Sequence, residues 1–254
     1  MKRLIRAVMF DMGGTLEDVY SDETSDKNTA AALYRILQSH DIAVPYGAEE
    51  LWAKVGPQIT AYKKQSEVTL RELKPEEIWV DWGFRDIPVD KEKLARCAEE
   101  IAYMWETTYY HRSLRPHAAE MLKGLKEDLG MHISVVSNTG SLFQVFSILE
   151  DYGIRQYFDE INLSSITGYR KPHPHIFNIA LAQSGFRPEE CAFVGDTVSR
   201  DVVGPRKMGY GKVFQITSFL TPLKDVGSYD GFAPDYKIAD IYDVYTILKK
   251  ESGK

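Results

Sequence analysis

Asp11 closes an apolar run, AVMF at 7–10, and is followed closely by Gly13, Gly14 and Thr15. A short apolar run ended by turn residues reads as a buried parallel strand. A carboxylate just past such a strand lies where open α/β sheets bind ligands, beyond the carboxyl ends of the strands. The glycines permit a tight turn and a close backbone approach to whatever the carboxylate touches. Later stretches repeat the pattern. HISVV at 132–136 ends in Ser137-Asn138, CAFV at 191–194 ends in Gly195-Asp196 with Asp201 soon after, and the loop 168–174 supplies Lys171. Taken singly, these are turn residues, a helix cap and a solvated lysine. Taken together they converge, because parallel strand ends gather at one edge of a sheet. Three carboxylates in one pocket repel one another, and a hard divalent cation is the simplest way to hold them. Magnesium is typically shared between one or two carboxylates and a substrate phosphate. Lys171 would neutralise phosphate charge, and Ser137, Asn138 and the neighbouring amides would donate to phosphoryl oxygens. The chemistry implied is the handling of a small phosphorylated molecule.

The elements that position these residues follow from periodicity. After a polar passage at 17–28, read as a loop with Asp26 or Asn28 capping the next helix, helical patterns cover 29–40, 48–64, 76–82 and 90–110. All four tryptophans, Trp52, Trp79, Trp82 and Trp105, lie in this block, which suggests a helical unit with an aromatic core. Lys54, Lys63 and Lys64 within it are expected to be solvated. From Pro116 onward helices and strands alternate: helices at 116–128, 141–152, 175–184, 202–208 and 241–249, strands at 132–136, 160–163, 191–194 and 212–216, and a frayed ESGK tail. Such alternation means a parallel sheet flanked by helices. The expected fold is α/β, a Rossmann-like parallel sheet core of residues 1–16 and 113–254 with an inserted all-helical cap at 17–112. Inserted after the first strand, the cap stands at the ligand edge of the sheet.

With 254 residues, 44% of them hydrophobic and 27% charged, the composition is that of an ordinary globular protein. A net charge of −6 argues against a general nucleic-acid surface. Cys97 and Cys191 lack metal-type spacing and read as reduced thiols. The basic MKRLIR start is followed by too short an apolar run for a signal peptide, and nothing approaches the roughly 18 apolar residues of a membrane span. A cytoplasmic protein with no membrane association is expected.

This order of motifs resembles the haloacid dehalogenase-like hydrolase superfamily over essentially the whole chain. Asp11 with Thr15 is similar to its first motif, Ser137 to its second, Lys171 to its third, and Gly195-Asp196 with Asp201 to its fourth. The helical insert resembles its small cap. The resemblance implies that Asp11 is the nucleophile, forming an aspartyl-phosphate, and that Mg2+ is held by Asp11, the Gly13 carbonyl and Asp196, with Asp201 nearby. One position departs from the pattern. Phosphatases of the superfamily usually carry a second Asp two residues after the nucleophile, as general acid and base, and here that position is Gly13. One reading takes the acid instead from Glu17, Asp18, His111 or His175. Alternatively, the reaction needs none, as in members that cleave carbon–halogen or carbon–phosphorus bonds, the latter through a Schiff base for which Lys54 is a candidate. The third reading is a protein that binds phosphate compounds without turnover.

Overall fold

The computed structural model describes residues 4–227, 229 and 231–253; the first three residues of the basic start and Lys254 of the tail lie outside them. In chain order the strands are Ala7–Phe10 (β1), Glu17–Tyr20 (β2), His111–Leu114 (β3), His132–Ser137 (β4), Glu160–Leu163 (β5), Cys191–Gly195 (β6), Lys212–Ile216 (β7) and Tyr236–Ile238 (β8). Six of them form one sheet in the order β5-β4-β1-β6-β7-β8, with every neighbouring pair parallel. Both faces are covered, which is why β1 and β6 read as unbroken apolar runs and β4 as one interrupted by the buried Ser134. Val8 and Phe10 pack on one face with Ile133, Val135 and Val194, while Ala7 and Met9 pack on the other with Val136 and Phe193. From β1 the chain first builds outward through β4 and β5, then returns to build β6, β7 and β8 on the other side. The crevice beyond the carboxyl ends of β1, β4 and β6 is therefore the topological switch point of the sheet.

The insertion at that edge contains Ser25–Ser39 (α1), Ala48–Thr69 (α2), a π-helical segment Glu77–Gly83, Lys91–Arg96 (α3) and Ala98–Thr108 (α4). It has an apolar cluster of its own, including Leu33, Leu37, Leu51, Val55, Trp79 and Ile101. Three tryptophans are buried in that cluster and Trp82 packs against it half-buried, with Trp79 and Trp105 in an edge contact of 6.3 Å. The core is thus a Rossmann-like parallel sheet carrying a helical cap. Among the described residues no helix is long and apolar enough to cross a membrane.

Three local expectations are corrected. The passage read as a loop from Glu17 begins with β2, which pairs antiparallel with β3. Its inward positions are Glu17 and Val19, and Glu17 is buried against Arg112 from the partner strand, so the alternation of a half-buried strand was concealed by a charged residue. Neither Asp26 nor Asn28 caps α1: Asp22 accepts from the Thr24 amide, and Asp26 accepts from Trp52 Nε1 at 2.7 Å. The single helix expected over 90–110 is two, broken at Cys97, whose backbone (φ −105°, ψ 8°) leaves the helical path.

Candidate active site

The crevice holds a cavity of ≈ 140 Å³, walled on one side by Asp11, Gly13, Ser137 and Asn138 and on the other by Lys63, Trp79 and Trp105 of the cap. Asp11 continues β1, and its amide donates to the Val194 carbonyl of β6 at 2.9 Å, which fixes it beside the end of that strand. Asp11, Asp196 and Asp201 each bring a carboxylate oxygen within 4.8 Å of the others. All three are buried, as is Lys171. The Lys171 ammonium lies 2.8 Å from Asp11 Oδ1 and 2.7 Å from Asp201 Oδ1. Asn138 holds that lysine in place through its backbone: its Oδ1 accepts from Lys171 N at 2.8 Å and its Nδ2 donates to Lys171 O at 3.2 Å. Asp201 is oriented from behind by the amide and hydroxyl of Thr197.

Backbone approach is the reason for two glycines here. Gly14 has φ +83°, and a Cβ on it would lie 2.4 Å from Asp196 Oδ2. A Cβ on Gly195 would lie 2.2 Å from that of Asp201. Any side chain at either position would push the carboxylates apart.

The charges do not balance around one lysine. Burial, with the Asp201 charge adding to it, pushes the Asp196 carboxyl up to about 8. Burial also raises Asp11, outweighing the pull of Lys171. Burial alone would raise Asp201 too, but Lys171 and then Arg200 overcome it and hold that carboxyl below the ordinary range. Asp196 Oδ2 accepts from the Ser218 hydroxyl, while its buried Oδ1 accepts no hydrogen bond among the described residues and has Arg200 Nη2 at 3.9 Å. A set of oxygen donors with an unsatisfied carboxylate oxygen fits a hard divalent cation, which would replace the proton on Asp196. This has a consequence for stability. Between the ordinary carboxylate value near 3.8 and about 8, the folded protein binds a proton on Asp196 that the unfolded chain does not. Stability of chelator-treated protein therefore falls as pH rises from 5 to 8. Thermal melts should show that fall, and both added Mg2+ and Asp196→Asn should flatten it. An equally steep fall in the variant would exclude Asp196 as its source.

Several contributors lie beyond the motifs. Arg115 Nη2 donates to Gly14 O at 2.9 Å and Thr217 O at 3.0 Å, and Thr221 Oγ1 donates to Asp196 O at 2.9 Å, so the segment around Ser218 is tied to the cluster. Residue types gave no signal for these. Arg200, four residues after Asp196, was open to discovery from spacing. Glu72, buried in the loop after α2, accepts from Tyr62 and Ser164 and pairs with Arg170, which joins the cap to the Lys171 loop.

The position of the missing acid is informative. A Cβ on Gly13 would meet Val19 Cγ2 at 3.5 Å, Arg112 Nη1 at 3.8 Å and Glu17 Oε1 at 3.8 Å. Arg112 faces the cavity and is paired with Glu17 and, at 3.0 Å, with Glu106. Of the four substitute acids considered, none lines the cavity. Glu17 is buried and paired with Arg112, Asp18 is half-exposed and paired with Arg115, His111 pairs with Asp22, and His175 packs at a tilt against the Tyr169 ring near the start of Pro174–Ser184. Lys54 is exposed with its ammonium over the Tyr46 ring, away from the cavity, so it is not placed for a Schiff base there. Lys63, expected to be solvated, is instead the cap lysine in the cavity wall.

Comparisons with known proteins bear on the family and the fold. The chain is 25% identical over 259 residues to a glyceraldehyde 3-phosphate phosphatase of Pyrococcus furiosus, covering 99% of this chain and 96% of that one. Its fold matches a 2-haloacid dehalogenase from Pseudomonas syringae (TM-score 0.65, 19% identity, 98% and 100% of the two chains). It also matches the HAD-hydrolase YfnB of Bacillus subtilis bound to magnesium (TM-score 0.60, 17% identity, 97% and 99%). The sequence pattern of the haloacid dehalogenase-like hydrolases matches residues 5–209, and the chain belongs to that family of hydrolases.

Proposed function

We propose that this hydrolase is a Mg2+-dependent phosphatase of small molecules, working through an aspartyl-phosphate on Asp11. The observation that carries the reading is the meeting of Asp11, Asp196 and Asp201 with Lys171 in one buried cluster at the sheet edge. Residues 1–16 and 113–254 would carry the reacting groups, and 17–112 would close over the substrate. Asp11, Asp196 and the Gly13 carbonyl would hold the cation, with Asp201 beside them; when bound, it supplies neutralisation of phosphoryl charge. The Asp11 carboxylate attacks phosphorus, and the bond from phosphorus to the leaving oxygen breaks with its electron pair going to that oxygen. Lys171 and Ser137 stabilise the charge on the transferring group, while Asn138 keeps Lys171 in register. Water then cleaves the acyl phosphate, releasing phosphate and restoring Asp11.

No carboxyl at position 13 protonates the departing oxygen, and general acid help is worth about 10²–10⁴-fold. Leaving groups that depart readily as anions are therefore favoured: acyl, aryl and anhydride phosphates over alkyl esters. A carbon–halogen hydrolase also uses a carboxylate nucleophile without an acid. The three carboxylates gathered around a single lysine favour the cation-dependent reading.

With Mg2+ the purified protein should hydrolyse acetyl phosphate and p-nitrophenyl phosphate faster than glucose 6-phosphate, and EDTA should remove the activity reversibly. A haloacid and a phosphonate belong in the same screen. Halide release that survives EDTA, with no phosphate release from any ester, would overturn the phosphatase reading; phosphate affinity without turnover would leave only a binding protein.

A further inference from the structure

Five cationic side chains line the cavity, and four of them have carboxylate partners. Arg112 is paired with Glu17 and Glu106, Arg170 with Glu72, Lys224 with Glu67, and Arg200 has Asp196 at 3.9 Å. Lys63, on α2 of the cap, has no carboxylate partner among the described residues. Its ammonium donates to Tyr110 Oη at 3.0 Å and lies 3.8 Å from the centre of the Trp105 ring. An ammonium has three N–H donors, and the phenol takes one. The rings hold the charge in place but do not neutralise it. Lys63 is half-buried, and it borders both the inner cavity and an outer groove of ≈ 1390 Å³, so it stands where the two meet.

The rest of the wall narrows what Lys63 receives. A cavity of ≈ 140 Å³ has about the volume that takes up one benzene molecule, so the ligand is compact. Ile59, Ile78 and Ala102 offer apolar contact to a short carbon skeleton. Glu67 and Glu106 in the same wall disfavour a second dianion, whereas a monoanion is matched by one ammonium. We propose that Lys63 is the specificity-determining residue of the cap, binding a carboxylate at the end of the substrate remote from the phosphoryl group. The substrate class is then a small phosphorylated carboxylic acid. This rests on the phosphatase reading above.

Phosphonoacetate is a carboxylate probe that cannot be hydrolysed at a phosphoester, and isobutylphosphonate has the same heavy-atom connectivity and nearly the same size without the carboxylate charge. Calorimetric titration with both, and with inorganic phosphate, in the presence of Mg2+ tests the proposal without relying on turnover. Wild-type protein should prefer phosphonoacetate, and Lys63→Gln should weaken that probe about 10- to 100-fold, the range expected for a hydrogen bond to a charged group. Isobutylphosphonate should bind both proteins alike, and Lys63→Arg should keep most of the preference. Equal binding of the two phosphonates to wild type, with phosphate still bound, overturns the carboxylate assignment and leaves the phosphatase reading standing. A preference that persists in Lys63→Gln overturns the role of Lys63. Failure of phosphate and both phosphonates to bind overturns the phosphatase reading, and this proposal with it.

Discussion

Asp11→Asn is expected to abolish phosphoester turnover, by on the order of 10⁵–10⁶-fold, the scale on which loss of a nucleophile acts. The amide has nearly the shape of the carboxyl but no nucleophilic oxygen pair, and it gives up the charge that meets Lys171 Nζ at 2.8 Å. Lys171 keeps Asp201 at 2.7 Å, so the cluster is not left with a stranded cation. Burial holds the Asp11 carboxyl above its ordinary range, so removing its ionised form relieves a desolvated group and the variant should fold. Two readouts separate loss of chemistry from loss of structure. The thermal melt should be near that of wild type, and the hydroxylamine-labile phosphoryl group that wild type carries after acid quench from acetyl phosphate should be absent. Retained turnover in a folded variant would place the nucleophile elsewhere.

Why that residue was legible from sequence, and others were not, has a physical basis. In a parallel sheet buried on both faces, β1 and β6 are continuous apolar runs and β4 is one broken by Ser134, and the residue after each run must stand at one edge. Asp11 and Asp196 were found on that ground, with Ser137 closing β4 between them. Lys171 and Asp201 are legible as a charged residue in the loop 168–174 and a second carboxylate five residues after Asp196. The β2–β3 pair obeys the same period of two, but Glu17 occupies an inward position and is neutralised only by Arg112, some 95 residues later in the chain. Alternation is readable only when the inward residues are apolar. The break at Cys97 was hidden for the opposite reason, since apolar residues continue across it at helical spacing.

The cap shows a further limit. Lys54 and Lys63 lie nine residues apart on α2, about two and a half turns, which places them on opposite faces. Helical periodicity shows that one face is apolar but not how the helix is rotated against a sheet it does not touch in sequence. Lys63 faces the cavity because Trp105 and Tyr110, from the far end of the insertion, hold it there. Likewise Ser218 reaches Asp196 in a segment that Arg115 ties to Gly14 and Thr221 ties to the Asp196 carbonyl.

Gly13→Asp should raise turnover of alkyl phosphates such as glucose 6-phosphate by about 10²–10⁴-fold while changing acetyl phosphate little. The site admits the side chain: the nearest heavy atoms to a Cβ there are 3.5 Å or more away, and the backbone at Gly13 is not left-handed. The new carboxyl would come close to both Arg112 and Glu17, whose effects on it oppose each other: the guanidinium favours its ionised form and the buried carboxylate its protonated form. The ratio of the two substrates is the decisive measurement, because a proton matters to an alkoxide and hardly at all to a departing carboxylate. An equal rise for both would mean that the Asp assists binding or the attack of water and not departure. No rise in a folded variant would show that the missing acid does not limit the reaction. In the wild-type protein the polar groups nearest that position are Arg112 Nη1 and Glu17 Oε1, each 3.8 Å from where the Cβ would stand; they are paired with each other, and the guanidinium donates no proton at neutral pH. The arrangement therefore suits substrates whose leaving oxygen needs no proton, and a substitution that supplies one should widen the range of esters cleaved.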